Sequence, residues 1–185
     1  EPFDYRFSGG LGAREYYGEN NGWIYRWDVQ HNFGDLVNMM GGASAFVKKL
    51  DATFSEWLGK PKYEFYAQLP DHTGNVGQFS MANEPSLHIP YLYNYVQAPW
   101  KTQQRIRSLV HQWFRNDLMG VPGDEDGGGL SSFVVFSMMG FYPVTPGLPV
   151  YHIGSPFFSS VKMKLSNGKV LEIIARNCSV DNKYI

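Results

Sequence analysis

Phe133 to Met139 is apolar on all sides, and a helix with no polar face has to be buried all round. Such a segment belongs inside a helical assembly larger than 185 residues can build alone. Directly before it, residues 121–130 (Val-Pro-Gly-Asp-Glu-Asp-Gly-Gly-Gly-Leu) set three consecutive acids between glycines. In an extended loop, Asp124 and Asp126 point the same way and Glu125 points to the other side. Gly123 and the Gly127–Gly129 run open backbone conformations closed to other residues and leave room for a polar ligand at the main chain. An acidic turn of this kind is ordinarily solvated. Here the buried run that follows holds the acids at the end of a helix, where carboxylates benefit from the N-terminal partial charge. Ser131 or Ser132 is the expected cap for Phe133 to Met139.

The length fits one domain, or one with a small appendage. Apolar residues make up 43% and charged ones 18%, so a core can form, and a net charge of −1 leaves no basic footprint for nucleic acid or a membrane surface. Twelve Tyr, thirteen Phe and five Trp exceed what a core of this size needs. Rings with an apolar face and a polar edge suit carbohydrate, and a Tyr-rich core would explain them equally well. The single Cys178 excludes an intrachain disulfide and a cysteine metal site. No stretch has the length of a transmembrane helix, and no signal segment opens the chain. The absent Met suggests a piece of a longer polypeptide.

Residues 1–22 read as Gly-rich loop. Within it, Glu19, Asn20 and Asn21 precede the aromatic cluster Trp23, Tyr25 and Trp27. A carboxyl against an aromatic wall has its proton affinity raised by desolvation, as a general acid requires. Phe33, Leu36, Val37 and Met40 form a helical face that stops at Gly41 and Gly42. Ser44 is the expected cap of a second helix with a Val47, Leu50, Phe54, Trp57 and Leu58 stripe. Residues 59–73 read as a connection.

Asn83 and Pro85 place Glu84 in the first turn of another helix. Glu84 there either answers the helix dipole or, with Gln78 and Asn83, supplies oxygens to a hard cation such as Ca2+. His88 lies one turn on and could reach the same site, although a lone His is more often a core group. A longer helix is expected from about Pro99 to Leu118, with Ile106, Leu109, Val110, Trp113 and Phe114 inward and Gln103, Arg107, Ser108 and Gln112 elsewhere. Then the pattern changes. Val161 to Leu165 alternates, residues 166–169 (Ser-Asn-Gly-Lys) form a turn, and Val170 to Ala175 returns, so the last forty residues are β beside a helical body. No Ser-His-Asp or Cys-His pattern and no phosphate loop is present.

Five motifs in order carry a resemblance: residues 83–95 beginning Asn-Glu-Pro-Ser, residues 99–103 (Pro-Trp-Lys-Thr-Gln), residues 122–127 (Pro-Gly-Asp-Glu-Asp-Gly), residues 136–144 ending Gly-Phe-Tyr-Pro-Val, and residues 151–156 ending Ile-Gly-Ser-Pro. Together they resemble glycoside hydrolase family 92, calcium-dependent, inverting, exo-acting α-mannosidases. The resemblance implies an α+β, mainly α fold: residues 1–145 as part of an (α/α)6 catalytic barrel and residues 146–185 as a C-terminal antiparallel β segment, both ends truncated. It implies Asp126 as general base with Asp124 assisting, Glu19 as general acid, and Gln78, Asn83 and Glu84 at a Ca2+ site. Trp23, Glu84, His88 and Trp100 would contact substrate. Inversion places the two carboxyls about 6.5–9.5 Å apart, with water between base and sugar.

The implied function is removal of terminal α-linked mannose, α-1,2 in the first instance, from an oligosaccharide or glycoprotein glycan, including N-glycan processing, in a secreted or periplasmic protein. The isolated fragment is expected to fold poorly and to be inactive. Against the family pattern, Ile24 replaces a polar residue after Trp23, Asn32 replaces Asp after His31, and Phe133 replaces Trp. Ile24 removes a polar side chain near the expected acid. The alternatives are another inverting glycosidase on the same barrel type, which would need no calcium, and a noncatalytic mannose-binding relative.

Overall fold

The structure is a computed structural model that describes Tyr17 and residues 20–59, 61–64 and 73–185. Among the described residues the α-helices run in order α1 Gly22–Tyr25, α2 Phe33–Met39, α3 Ala43–Thr53, α4 Pro99–Trp113 and α5 Gly129–Met139, and residues 62–64 are also helical. Two 3-10 segments, Glu84–Ser86 and Ile89–Val96, lie between α3 and α4. Among the described residues six short strands make three antiparallel pairs: β1 Asn75–Val76 with β2 Phe79–Ser80, β3 Phe141–Tyr142 with β4 His152–Ile153, and β5 Ser160–Lys164 with β6 Val170–Ile174.

The helical starts follow local chemistry. Asn21 accepts from the Trp23 amide to cap α1, and Asn32 accepts from the Asp35 amide to cap α2. α3 begins at Ala43 after Gly42, so Ser44 is inside the helix and is not its cap. Gly42 takes the cap position with φ 88°, a conformation a side chain would strain.

α4 ends at Trp113, five residues short of Leu118. A competing turn stops it: Asp117 accepts from the Met119 amide at 2.8 Å and pairs with Arg115, while the Arg115 amide reaches the Gly120 carbonyl. Gln103 and Arg107, read as facing away from the core, are buried. Arg107 donates to Ser155 Oγ and to the Pro156 carbonyl, and Gln103 accepts from the Ile185 amide, so α4 holds the C-terminal strands through polar groups.

The segment after Asn83 is 3-10 and not α. Pro85 and Pro90 have no amide hydrogen to give, and the turns close on i+3 bonds, Leu87 to Glu84 and Tyr91 to His88. Its rings fill the centre of the molecule. Tyr91 bonds Ser137 of α5, and Tyr93 donates to Asp51 of α3, so the segment joins helices distant in sequence. Around it the core collects Trp27, Phe46, Leu50, Phe79, Met81, Ile106, Leu109, Leu130 and Phe133.

α5 starts at Gly129, ahead of Ser131 and Ser132. It buries Leu130, Phe133 and Ser137, while Val135 is 54% exposed, so among the described residues one side is covered and the other is not. The β5–β6 hairpin matches the alternation in the sequence, with Lys164 opposite Val170 and Gly168 at φ 80°.

Candidate active site

The acidic loop is fixed at both ends by glycines that no other residue could replace without displacement. At the front, a Cβ on Gly123 (φ 72°) would stand 2.7 Å from the Ala82 Cβ, and one on Gly74 (φ 72°) would stand 3.3 Å from the Pro122 Cβ. The loop thus lies on residues 74–82. At the back, a Cβ on Gly129 would meet Glu84 Oε1 at 3.1 Å. Glu84 and the acidic loop, 40 residues apart in sequence, are in contact.

Between these anchors the three acids have different fates. Glu125 turns inward to α5: its Oε1 accepts from the Ser131 amide at 3.1 Å and its Oε2 from the Ser131 hydroxyl at 2.6 Å. Asp124 and Asp126 are exposed, and neither carboxylate has a hydrogen bond or ion pair among the described residues. The separation of Glu125 from the two aspartates agrees with the alternation in the sequence, but its cause is different. The backbone is not extended: Asp126, Gly127 and Gly128 take φ of 48°, 67° and 99°, three successive left-handed residues that double the chain back. Asp124 borders a cleft of about 540 Å3 together with Thr73, Gln112, Trp113 and Arg115.

The expected cation ligands divide into two groups. Asn83 and Glu84 are consecutive, at the start of the 3-10 turn and beside the acidic loop; Asn83 is 2% exposed. An amide and a carboxylate are hard oxygen donors of the kind Ca2+ takes, and this donor pair fits the ion. Gln78 is fully buried in the β1–β2 turn, where its Oε1 accepts from Asn21 and its Nε2 donates to the Trp57 carbonyl at 2.6 Å. It therefore ties down the residue two places after Glu19, with a lone pair on the oxygen still available. Glu19 itself lies outside the described residues.

Of the expected sugar contacts, Trp23 borders a second cleft of about 560 Å3 with Tyr17, Tyr25, Arg26 and Lys49, and the Arg26 guanidinium stacks 4.2 Å above its ring. Trp100 is half exposed at the start of α4. His88 is placed differently. It is 2% exposed, Nε2 donates to the Trp27 carbonyl at 2.9 Å, and Nδ1 faces the Gln30 amide at 3.2 Å. Both ring nitrogens are engaged within the protein, and burial pushes its pKa down. Nothing in the sequence announces the Glu125–Ser131 contact, because a carboxylate reaching six residues forward belongs to no fixed-spacing cap motif.

The departures from the family pattern also find places. Ile24 is fully buried in the core, so its side chain does not border a cleft. Asn32 caps α2 and donates from Nδ2 to Asp35 at 2.6 Å, a bond that Asp could not make. Phe133 is fully buried against Phe114 and Tyr142.

Residues 1–185 match the glycosyl hydrolase family 92 catalytic domain. An uncharacterized secreted glycosidase of Arthroderma benhamiae is 34% identical over 167 residues, which is 90% of this chain and 19% of that protein. A family GH92 α-mannosidase of Bacteroides thetaiotaomicron, also solved in complex with mannoimidazole, superposes with a TM-score of 0.83 at 34% identity, covering 100% of this chain and 23% of that one. A family GH92 inverting mannosidase of the same organism gives a TM-score of 0.75 at 36% identity over 91% of this chain and 24% of its own. The chain spans about a fifth to a quarter of these relatives. With its full length matched and its fold shared with mannosidases at about a third identity, the chain belongs to glycosyl hydrolase family 92.

Proposed function

We propose that this chain contributes the general-base side of an exo-acting, inverting α-mannosidase centre, with α-1,2-linked mannose as the substrate to test first. The observation that carries the reading is the pair of exposed carboxylates, Asp124 and Asp126, on a loop fixed against Glu84. An inverting reaction needs a carboxylate facing water, free of internal ion pairs, to take a proton as that water attacks the anomeric carbon. Asp126 takes that proton, and Asp124 orients the water. Glu19 protonates the departing glycosidic oxygen from the opposite side of the ring.

Asn83 and Glu84, with Gln78 completing the set, would hold Ca2+. When bound, the ion supplies ligation of sugar hydroxyls and offsets charge. The chain's own contribution at that point is to keep Glu84 against the base loop and Gln78 against Asn21, so that the stretch from Gln78 to Glu84, which carries the cation donors, touches both the base loop and Asn21. Trp23 and Trp100 offer ring faces to the sugar. The helical part reads as a share of an (α/α)6 barrel and residues 146–185 as its C-terminal β segment. The curated relative is described as secreted, and an extracellular or periplasmic setting for a glycan-processing enzyme follows that description.

The test uses the full-length protein with α-1,2-mannobiose, following the first-formed anomer by NMR with calcium and then with excess chelator. Calcium-dependent release of β-mannose is expected. Release of α-mannose first would overturn inversion, unchanged release under chelation would overturn the calcium site, and no release from folded protein would overturn the substrate.

A further inference from the structure

The sequence offers three adjacent acids, any of which could be a base or an aid to one. We infer that the middle one, Glu125, is a positioning residue: it sets where Asp126 stands and takes no part in proton transfer. This rests on the mannosidase reading above for the role of Asp126, while the clamp itself rests on geometry.

Glu125 closes a ring with Ser131. Both carboxylate oxygens are used, one by the Ser131 amide at 3.1 Å and one by its hydroxyl at 2.6 Å. Ser131 is the third residue of α5, and the first amides of a helix have no acceptor within it. A carboxylate at this end satisfies one of them and also meets the positive pole of the helix. Both effects hold the Glu125 side chain doubly bonded at the start of α5.

Within that ring the chain is Asp126, Gly127 and Gly128, all left-handed, closed by the Gly129 amide on the Asp126 carbonyl at 3.4 Å. Two glycines impose little preference of their own for one conformation. Asp126 therefore stands at the apex of a flexible turn whose entry is tied by Glu125 and whose exit is tied by Gly129 beneath Glu84. The front anchor, Gly123 on Ala82, lies three residues before Asp126 and constrains Asp124 more directly. Between Gly123 and the start of α5, Glu125 makes the side-chain hydrogen bonds of the described loop, and the other ties are backbone bonds at its exit, the Gly129 amide on the Asp126 carbonyl and the Ser132 amide on the Gly128 carbonyl at 2.9 Å. A base displaced by about 1 Å from its water loses about 100-fold in rate, so the clamp has a kinetic consequence.

The role differs from that of a catalytic acid or base in a measurable way. Gln at 125 can still accept from the Ser131 amide through Oε1 and can donate to the Ser131 hydroxyl through Nε2, so it keeps the ring and abolishes any titration. Ala keeps neither.

The experiment is steady-state kinetics on α-mannobiose with the full-length protein, comparing wild type, Glu125→Gln, Glu125→Ala, Ser131→Ala and the Glu125→Ala/Ser131→Ala pair across pH. Glu125→Gln is expected to stay within about threefold of wild type with both limbs of its pH profile in place. Glu125→Ala is expected to lose about 10- to 100-fold in kcat with KM within about twofold, and the double variant to be no worse than Glu125→Ala, since the two residues act as one unit. Should Glu125→Ala not fold, Ser131→Ala, with one bond lost, carries the test through a smaller kcat loss at unchanged KM. Full kcat in Glu125→Ala, or in Ser131→Ala where that one stands in, overturns the clamp. So does a Glu125→Gln variant as slow as Glu125→Ala with its acidic limb missing, which would make Glu125 the base. Wild-type protein without mannose release would instead sink the mannosidase reading.

Discussion

The carboxylate of Glu84 rests on the α-carbon of Gly129: a methyl group there would stand 3.1 Å from Glu84 Oε1 and 3.2 Å from its Cγ. Gly129 is not in the left-handed region, so space and not backbone conformation makes it glycine. Gly129→Ala is therefore expected to push Glu84 by a few tenths of an ångström while leaving α5 intact, since Ala favours a helix over Gly by about 1 kcal/mol in its interior and less at its first turn. A calcium titration of the full-length enzyme should show a several-fold rise in the calcium needed for half-maximal activity, with the thermal midpoint little changed. An unaltered titration would mean that Glu84 is not a cation ligand.

Asp126 permits an unusually clean substitution. Its φ of 48° lies where Asn and Asp are the best tolerated side chains after glycine, and the residue is exposed, so Asp126→Asn should leave stability within about 0.5 kcal/mol. Activity on α-mannobiose should fall by about 100- to 10,000-fold if the carboxylate is the base. Asp124→Asn, on the less twisted approach to the loop, should cost less. Equal losses from the two would assign proton transfer to the pair as a unit.

His88 should make the protein less stable in mild acid. Its pKa is depressed mainly by burial, against smaller opposing effects of the Trp27 carbonyl and Asp28. Above about pH 6.5 the ring is neutral in both folded and unfolded chains and contributes no pH dependence. Below that, the unfolded chain binds a proton that the folded one resists, so stability falls with pH until the depressed folded pKa is reached and then levels off. Protonation would also set an Nδ1 hydrogen against the Gln30 amide hydrogens. His88→Gln, which can still donate to the Trp27 carbonyl, should flatten the fall in thermal midpoint between pH 7.5 and 5.5. His152, half buried with its pKa also lowered, will keep part of the slope.

Where a segment's structure is decided by its own residues, the sequence was a good guide. Strict alternation and an Asn-Gly turn specify β5 and β6, and the Phe33 to Met40 face stops at its glycines as expected. Where distant contacts decide, it was not. Nothing local announces that Arg107 and Gln103 turn into the core, because their partners are carbonyl, hydroxyl and amide groups about 50 to 80 residues on. The Asn83 to Val96 stretch carries good helix-start signals, yet two prolines and the pull of Tyr91 and Tyr93 toward Ser137 and Asp51 wind it as 3-10. In the candidate site, residue types and order were legible. The pairing of Glu84 with Gly129 and the diversion of Glu125 to Ser131 arise from tertiary packing and a left-handed turn.

Asn32→Asp tests whether a departure from the family pattern touches function. Asn32 caps α2 through the Asp35 amide at 3.1 Å and donates Nδ2 to the Asp35 carboxylate at 2.6 Å. Asp would keep the first bond, since a carboxylate caps a helix as well as an amide does. The second would become a contact between two carboxylates, both exposed, so water screens much of their repulsion. The helix dipole favours a second negative charge at this end and the like-charge contact opposes it, at about 0.3–1 kcal/mol each. At 2.6 Å the repulsion should prevail, giving a small loss of stability at neutral pH. Mannose release should be unchanged, because Asn32 acts on α2 alone. A large change in kcat with the thermal midpoint preserved would instead place residue 32 within reach of the substrate, and would restore weight to the view that its loss of charge marks a sugar-binding relative.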